Sequence, residues 1–244
     1  MKIAIIADIH SNLEALQKVL KSIEKEKPDK IICLGDIVGY GANPDECCEL
    51  VRKHCDLSIM GNHDAAVCNL MLTEYFVRHA EIAVLWTRKI MKENNIDWLS
   101  NLPLTVDMGE IAFSHGAPYS PKDFVYVVDY ESALLSIKYL ELSGKKICFV
   151  GHSHILDIFW RDKNVINRTI AETFVTKSKM VSVINVGSTG QPRDGNPFSA
   201  WGLYDTDGDV YKVFRTSYDI TRASEKIIQA GLPEILAIRL FSGR

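Results

Sequence analysis

Apolar and polar positions along this chain repeat in two different periods. Short apolar runs at Ile3–Ala7, Ile31–Leu34 and Leu57–Met60 have the character of buried strands. Between them lie stretches of helical spacing. Leu13, Leu16, Leu20 and Ile23 share one face of a helix expected from about Asn12 to Lys25, and Pro28 breaks it. Pro44 to His54 reads as a second helix, and a long helical region from roughly Glu74 to Glu93 carries Ile82, Leu85, Trp86 and Ile90. Hairpins then take over. Leu104–Asp107 and Glu110–Ser114 flank Met108-Gly109, and Ile147–Val150, Ile155–Trp160 and Val181–Asn185 follow. Ala200–Asp205 and Val210–Arg215 flank a turn with Asp207-Gly208 at its tip. The tail is helical over Ile220 to Gly231 and Pro233 to Phe241, placed either to cap the sheets or to pair two subunits. Alternating βα units followed by hairpins predict an α/β (α+β) chain of mixed sheets covered by helices. No linker-like or low-complexity stretch divides it, so a single domain is expected over 1–244, with a sandwich core at 1–215 and a helical C-terminal extension at 216–244.

Five of the apolar runs end in groups that ligate metals. Ile3–Ala7 ends in Asp8-Ile9-His10, Ile31–Leu34 in Gly35-Asp36, and Leu57–Met60 in Gly61-Asn62-His63-Asp64. Ile111–Ser114 ends in His115-Gly116, and Ile147–Val150 in Gly151-His152-Ser153-His154. In open α/β sheets the carboxyl ends of strands are where ligands bind, so these clusters can converge on one crevice. Asp, His and Asn without Cys suit Mn, Fe or Zn in a nitrogen and oxygen site rather than a thiolate-bound structural zinc. A tetrahedral ion takes about four ligands; the larger set fits two ions sharing a carboxylate. Taken singly, each cluster is also an ordinary cap, turn or hydrogen-bonded loop. Their joint placement at strand ends is what points to a metal site.

Composition narrows the setting. The 244 residues carry 28 basic and 31 acidic side chains, and 47% are hydrophobic, which excludes a disordered chain. No apolar run approaches the roughly 18 residues of a membrane span. Asp8 and His10 interrupt the opening apolar run before it can serve as a signal-peptide core, so a cytoplasmic protein with no membrane partner is expected. Cys47 and Cys48 are adjacent, Cys33 and Cys148 lie in apolar runs and no C-x-x-C pair occurs, so the six cysteines read as reduced structural thiols. Lys21, Lys25, Lys27 and Lys30 are interleaved with Glu24, Glu26 and Asp29, and no concentrated basic face predicts binding to duplex nucleic acid.

In this order, Asp-x-His, Gly-Asp, Gly-Asn-His-Asp, His-Gly and Gly-His-x-His resemble the signature of the calcineurin-like metallophosphoesterase superfamily. The resemblance implies a four-layer αββα sandwich of two mixed sheets with a dinuclear metal site at its edge. Carried over by motif, Asp8, His10 and His154 would hold one metal; Asn62, His115 and His152 the other; and Asp36 would bridge them. His63 matches the family's catalytic histidine, and Asp64 either fixes the His63 tautomer or caps the segment that follows. The implied cofactors are two divalent ions, Mn foremost, with Fe, Zn, Ni and Co as alternatives. The implied activity is hydrolysis of a phosphoester substrate by water activated between the ions, with His63 serving the leaving oxygen. No Gly-x-Ser-x-Gly elbow or phosphate-binding P-loop offers a competing chemistry. His54 and His79, in expected helices, are read as structural.

Specificity is less sharply written. Protein serine/threonine phosphatases carry an Asp-Arg pair where this chain has Gly39-Tyr40, a departure that counts against a protein substrate. The Gly39-Tyr40-Gly41 and Asn185-Val186-Gly187-Ser188-Thr189-Gly190-Gln191-Pro192-Arg193 segments are similar to small prokaryotic phosphodiesterases and relatives of diadenosine tetraphosphatases. Arg193 is a candidate phosphate contact or, alternatively, a pin for a surface loop. Tyr40 and Tyr119 are candidates to stack on an aromatic group. The loop at 117–130, rich in aromatics, either overhangs the metals or packs on its own sheet. A non-catalytic scaffold of the same fold is the reading from another class; the filled ligand positions and His63 argue against it.

Overall fold

The structure is a computed structural model, and it describes residues 1–176 and 180–244. The chain opens with β1 (Lys2–Ile6), α1 (Leu13–Glu26), β2 (Lys30–Cys33), α2 (Pro44–His54), β3 (Leu57–Ser58) and the short α3 (Asn62–Val67). Next come α4 (Arg78–Ile90), α5 (Glu93–Ser100), β4 (Thr105–Met108), β5 (Ile111–Ser114), α6 (Tyr130–Leu142) and β6 (Ile147–Val150). The remainder is β7 (Leu156–Asp162), β8 (Val165–Thr169), β9 (Thr173–Val175), β10 (Val181–Val186), β11 (Ser199–Asp205), β12 (Val210–Thr216), α7 (Ile220–Gln229) and α8 (Glu234–Ser242). The strands form two six-stranded mixed sheets, ordered β3-β2-β1-β11-β12-β9 and β4-β5-β6-β10-β7-β8.

The period-2 geometry of the strands explains why their runs are apolar throughout rather than alternating. Ile3 and Ile5 point into the layer between the sheets, whereas Ala4 and Ile6 point to the helices outside. Ile32 against Cys33, and Ile147 and Phe149 against Cys148 and Val150, divide in the same way. Each central strand therefore has two buried faces, and the fold is the expected four-layer sandwich. Within each sheet the strands that carry the ligand clusters run parallel: β1 with β2, β2 with β3, and β5 with β6. Their carboxyl ends consequently meet at one edge.

The long helix expected near Glu74 to Glu93 is instead two helices after a 3₁₀ turn at Thr73–Tyr75. The buried face of α4 is Ala80, Ala83, Val84 and Thr87, while Leu85 and Ile90 are exposed. Small side chains let α4 approach a cluster containing Leu236, Ala237 and Leu240 of α8, which sequence spacing does not reveal. Strands β8 and β9 and helices α3 and α6 also lie outside the expected elements. The tail caps the sandwich: Lys226 and Arg222 of α7 reach the Glu14 carboxylate of α1 at 2.6 and 3.3 Å. Among the described residues no helix is long and apolar enough to cross a membrane.

Candidate metal centre

The loops that leave the strand ends are held in backbone conformations that L-residues seldom adopt. Asp8, His10, Asp36, His152 and His154 all have φ between 50° and 70°. Left-handed backbone at a non-glycine residue costs about 1–2 kcal/mol, and it persists only where the surroundings over-determine it. Here they do. Asp8 N donates to Gly35 O (3.0 Å), His10 N to Asp36 O (2.9 Å) and Gly190 N to Asp8 O (2.9 Å), lacing the loops to one another. Asn185 Nδ2 donates to Gly151 O (2.6 Å) and to Ser153 Oγ (2.9 Å), and Ser188 Oγ donates to Asp8 O (2.8 Å). The Asn185–Ser188 segment, which the sequence marks only by its resemblance to small phosphoesterases, thus braces the Gly151 and Asp8 loops.

These loops bring together every sequence-predicted ligand. Asp8, His10, Asp36 and His154 form one group of donors and Asp36, His115 and His152 a second, with the donor atoms of each group within 4.8 Å of one another. Ligands of a single ion bound at about 2.0–2.2 Å must lie about that close. Asn62 joins the second group, its amide oxygen 3.2 Å from His115 Nε2. Asp36 is the residue common to both.

The donor chemistry fits cations. His10 Nδ1 donates to Val38 O, His154 Nδ1 to Gln191 O and His115 Nδ1 to Leu34 O, at 3.1, 2.7 and 2.7 Å. A carbonyl only accepts, so the proton of each ring sits on Nδ1 and a neutral ring offers Nε2 as a lone pair. Burial holds His10 and His154 well below the usual imidazole range. Their Nε2 atoms nevertheless face each other at 3.0 Å, and His10 Nε2 lies 3.5 Å from Asp36 Oδ2. Lone pairs directed at one another in a dry pocket repel unless a positive charge lies between them. At His115 burial disfavours charge, yet Asp36 at 3.3 Å wins and raises the imidazole to about 9. Burial lifts Asp8 to about 7 against the pull of His115. Asp36 goes the other way: burial opposes its charge, but His115, His63 and His10 hold it well below the carboxylate range. A divalent ion would displace the proton at His115 and ionise Asp8.

His63 is buried beside this cluster, its ring 4.7 Å from His10, 4.4 Å from Tyr40 and 4.9 Å from Phe76. Burial lowers it to about 4, so it is neutral near pH 7. Its backbone N donates to Asp36 Oδ1 (2.8 Å), while among the described residues Nδ1 has no hydrogen-bond partner. The expected Asp64–His63 contact is not formed. Adjacent residues of a helix do not face each other, and the Asp64 carboxylate instead accepts Ile37 N, Val38 N and Gly61 N at 2.9, 3.1 and 3.0 Å. Asp64 is the third residue of α3, bonded back to its N-cap Gly61, so it ties the Asp36 loop to the His63 helix. It therefore shares in capping α3, from the N3 position rather than as the N-cap itself.

A cleft of about 470 Å³ opens over His63, Asn62 and His152, within the usual size range of small-molecule sites. Tyr40 and Arg193 line it, with the Arg193 guanidinium 5.6 Å from the centre of the Tyr40 ring. Arg193 donates to Gln191 Oε1 of its own loop (2.8 Å), and among the described residues its buried Nε has no partner. The 117–130 loop does overhang: Phe124 and Tyr126 line the cleft, and Tyr126 stacks on His152 at 3.9 Å. Tyr119 is not at the cleft; it packs against the helix-side core of the second sheet. His79, read from the sequence as structural, lines the cleft with its ring 6.5 Å from Tyr40. His54 stays exposed at the end of α2. Arg239 of α8 also lines the cleft, and no motif announced it.

Known proteins share this chain's sequence and fold. The sequence model of the calcineurin-like phosphoesterase superfamily domain matches residues 1–209. An uncharacterized protein of Methanocaldococcus jannaschii is 41% identical over 247 residues, covering 99% of this chain and 98% of that one. Among solved structures, a metallophosphoesterase from Sphaerobacter thermophilus is 33% identical with a TM-score of 0.85, covering 100% of this chain and 99% of its own. A protein from Pyrococcus horikoshii OT3, 20% identical over 100% of this chain and 98% of its own, shares the fold with a TM-score of 0.79.

Proposed function

Because this chain belongs to the calcineurin-like phosphoesterase superfamily and is thereby a metal-dependent hydrolase of phosphoric esters, we propose that it binds two divalent cations and cleaves a small, nucleotide-like phosphodiester or phosphomonoester. The observation that carries this reading is the position of Asp36, one carboxylate shared by two groups of buried donors. Asp8, His10 and His154 are assigned to one ion, Asn62, His115 and His152 to the other, and Asp36 to both. Manganese is the first choice, with iron, zinc, nickel or cobalt compatible with the same donors. When bound, such a pair supplies Lewis acidity to the phosphoryl oxygens and a water acidic enough to attack near neutral pH.

The chain's own residues do the rest. Arg193, which lines the cleft, offers its guanidinium to the phosphate oxygens. His63, neutral and walled by Tyr40 and Phe76, offers its ring N–H as a hydrogen-bond donor that stabilises charge developing on the leaving oxygen. Asp64 positions His63 by tying α3 to the Asp36 loop. Tyr126 and Phe124, beside His152, shield that part of the cleft from water. A cytoplasmic address is part of the same reading and suits six unpaired cysteines.

Purified protein supplied with Mn²⁺ should hydrolyse bis-p-nitrophenyl phosphate, and Asp36→Asn should abolish turnover while keeping its melting transition. A fully inert protein, across all five metals and both mono- and diester substrates, would favour the scaffold.

A further inference from the structure

Four histidines are assigned to the two cations, and the protein orients their rings in two different ways. His10, His115 and His154 each donate from Nδ1 to a main-chain carbonyl, of Val38, Leu34 and Gln191. Such a bond fixes both the tautomer and the angle of a ligating ring. The backbone of His152 is held, with φ at 70° and N donating to the two Asp8 carboxylate oxygens at 3.1 and 3.0 Å. Among the described residues, however, no group hydrogen-bonds to its imidazole. What that ring has instead is Tyr126, whose ring centre lies 3.9 Å away with the two planes 13° from parallel. The rings of His115 and Phe124 are farther off, at 4.9 and 6.5 Å, and tilted by 55° and 51°.

Tyr126 is not placed there to fill the core. It stays 48% exposed, whereas burial is what ordinarily holds an aromatic ring in place. The loop that carries it is built to deliver it. Ala117 N donates to Val125 O at 2.8 Å, closing the loop immediately before Tyr126. Phe124 adopts a φ of 48°, which a bulky residue rarely does, and its ring is buried with Met60 and Ala65. Gly116 leaves the room for this, since a Cβ there would meet Val125 O at 2.8 Å and Phe124 Cα at 3.0 Å.

We propose that Tyr126 is a positioning residue for the second ion: its ring aligns His152 by stacking, in place of the carbonyl bond that aligns the other three histidines. The proposal rests on the assignment of His152 as a ligand and adds the residue that orients it. An imidazole that shares its lone pair with a cation becomes electron-poor, and the electron-rich face of a phenol ring attracts it more strongly than a neutral ring. The stack is therefore tighter with the ion bound, and by linkage it tightens the ion. Removing the group that orients a ligating histidine weakens metal affinity about 10-fold or more. The loss falls on the ion held by Asn62, His115 and His152, not on the ion held by Asp8, His10 and His154.

The test titrates Mn²⁺ calorimetrically into the full chain freed of metal by chelation, and follows bis-p-nitrophenyl phosphate turnover against free Mn²⁺. Tyr126→Ala should bind one Mn²⁺ with wild-type affinity and the other about 10-fold more weakly, and the Mn²⁺ needed for half-maximal rate should rise by the same factor. Tyr126→Phe, which keeps the ring, should restore both values. If Tyr126→Ala loses its melting transition, Tyr126→Leu, which keeps apolar bulk without a flat face, takes its place. Two unchanged affinities in the truncated variant, equal weakening of both ions, or failure of phenylalanine to rescue overturns the positioning role and leaves the dinuclear site intact. A wild-type chain that binds fewer than two ions of every metal tried overturns the metal reading on which the proposal rests.

Discussion

Replacing Gly61 by alanine isolates the geometry of the bridging carboxylate. Gly61 has an ordinary φ of −96°, so its backbone does not require glycine. Its surroundings do. A Cβ there would lie 2.8 Å from Asp36 Cγ, and nearer still to Asp36 Oδ1 and N, whereas ordinary contact begins at 3.4 Å. The carboxyl carbon must therefore retreat by about 0.6 Å at least, roughly three times the ±0.2 Å that metal–ligand distances tolerate. Rotation offers no escape, because Asp36 Oδ1 accepts His63 N and Asp36 O accepts His10 N. Overpacking of this kind destabilises by about 1–3 kcal/mol, which for a chain of this size lowers Tm by several degrees. Misplacement approaching 1 Å at a reacting centre costs about 10²-fold in rate. Elemental analysis after Mn²⁺ reconstitution, bis-p-nitrophenyl phosphate turnover and thermal melting together read all three effects. Gly208→Ala, in the β11–β12 turn where the nearest atom to an added Cβ is 3.6 Å away, is the control. A folded Gly61→Ala protein that keeps two metals per chain and turns over within threefold of wild type would refute the bridging role of Asp36.

Further predictions follow from the same contacts. His63→Gln should retain both metals, since His63 is not among the grouped donors, while kcat falls about 10²–10⁴-fold; metal content and turnover measured on one sample decide it. Chelation should lower Tm and added Mn²⁺ restore it, with a stabilisation of about 2.7 kcal/mol when free metal is 100 times its Kd; a melting curve indifferent to chelator and metal would contradict a bound ion in the folded state. Burial pushes Cys55 and Cys68 up to about 12 and Cys148 higher still, so the folded protein should react slowly with a thiol reagent at pH 8 and expose six thiols on denaturation. Rapid labelling of the native protein would show that these thiols are not protected as the structure has them.

Much of the architecture and all seven candidate ligands were legible along the chain, because both follow from local rules. A strand buried on both faces must be apolar throughout, and the polar residues at its carboxyl end then stand out against it, as Asp8 does after Ile6 and Ala7, or His152 after Val150 and Gly151. The close approaches at Gly61 and Gly151 are written as glycines for the same reason, since only a missing Cβ leaves Asp36 and Asp8 their space. What required tertiary structure was everything set by which elements pack together. The large apolar residues of α4 suggested a single long helix with Leu85 and Ile90 on its inner face, yet the helix turns its alanines inward because α8 comes close there. Asp64 could not be assigned from its place beside His63, because the amides it accepts come from Ile37 and Val38, far away in sequence. Arg239 carries no motif, and it lines the cleft from α8, whose end is tied back to the Arg193 loop by the Gly195–Gly243 bond. Composition and periodicity report what each segment must bury, while the identity of the side chains that meet in a cleft depends on long-range packing, which no local pattern encodes.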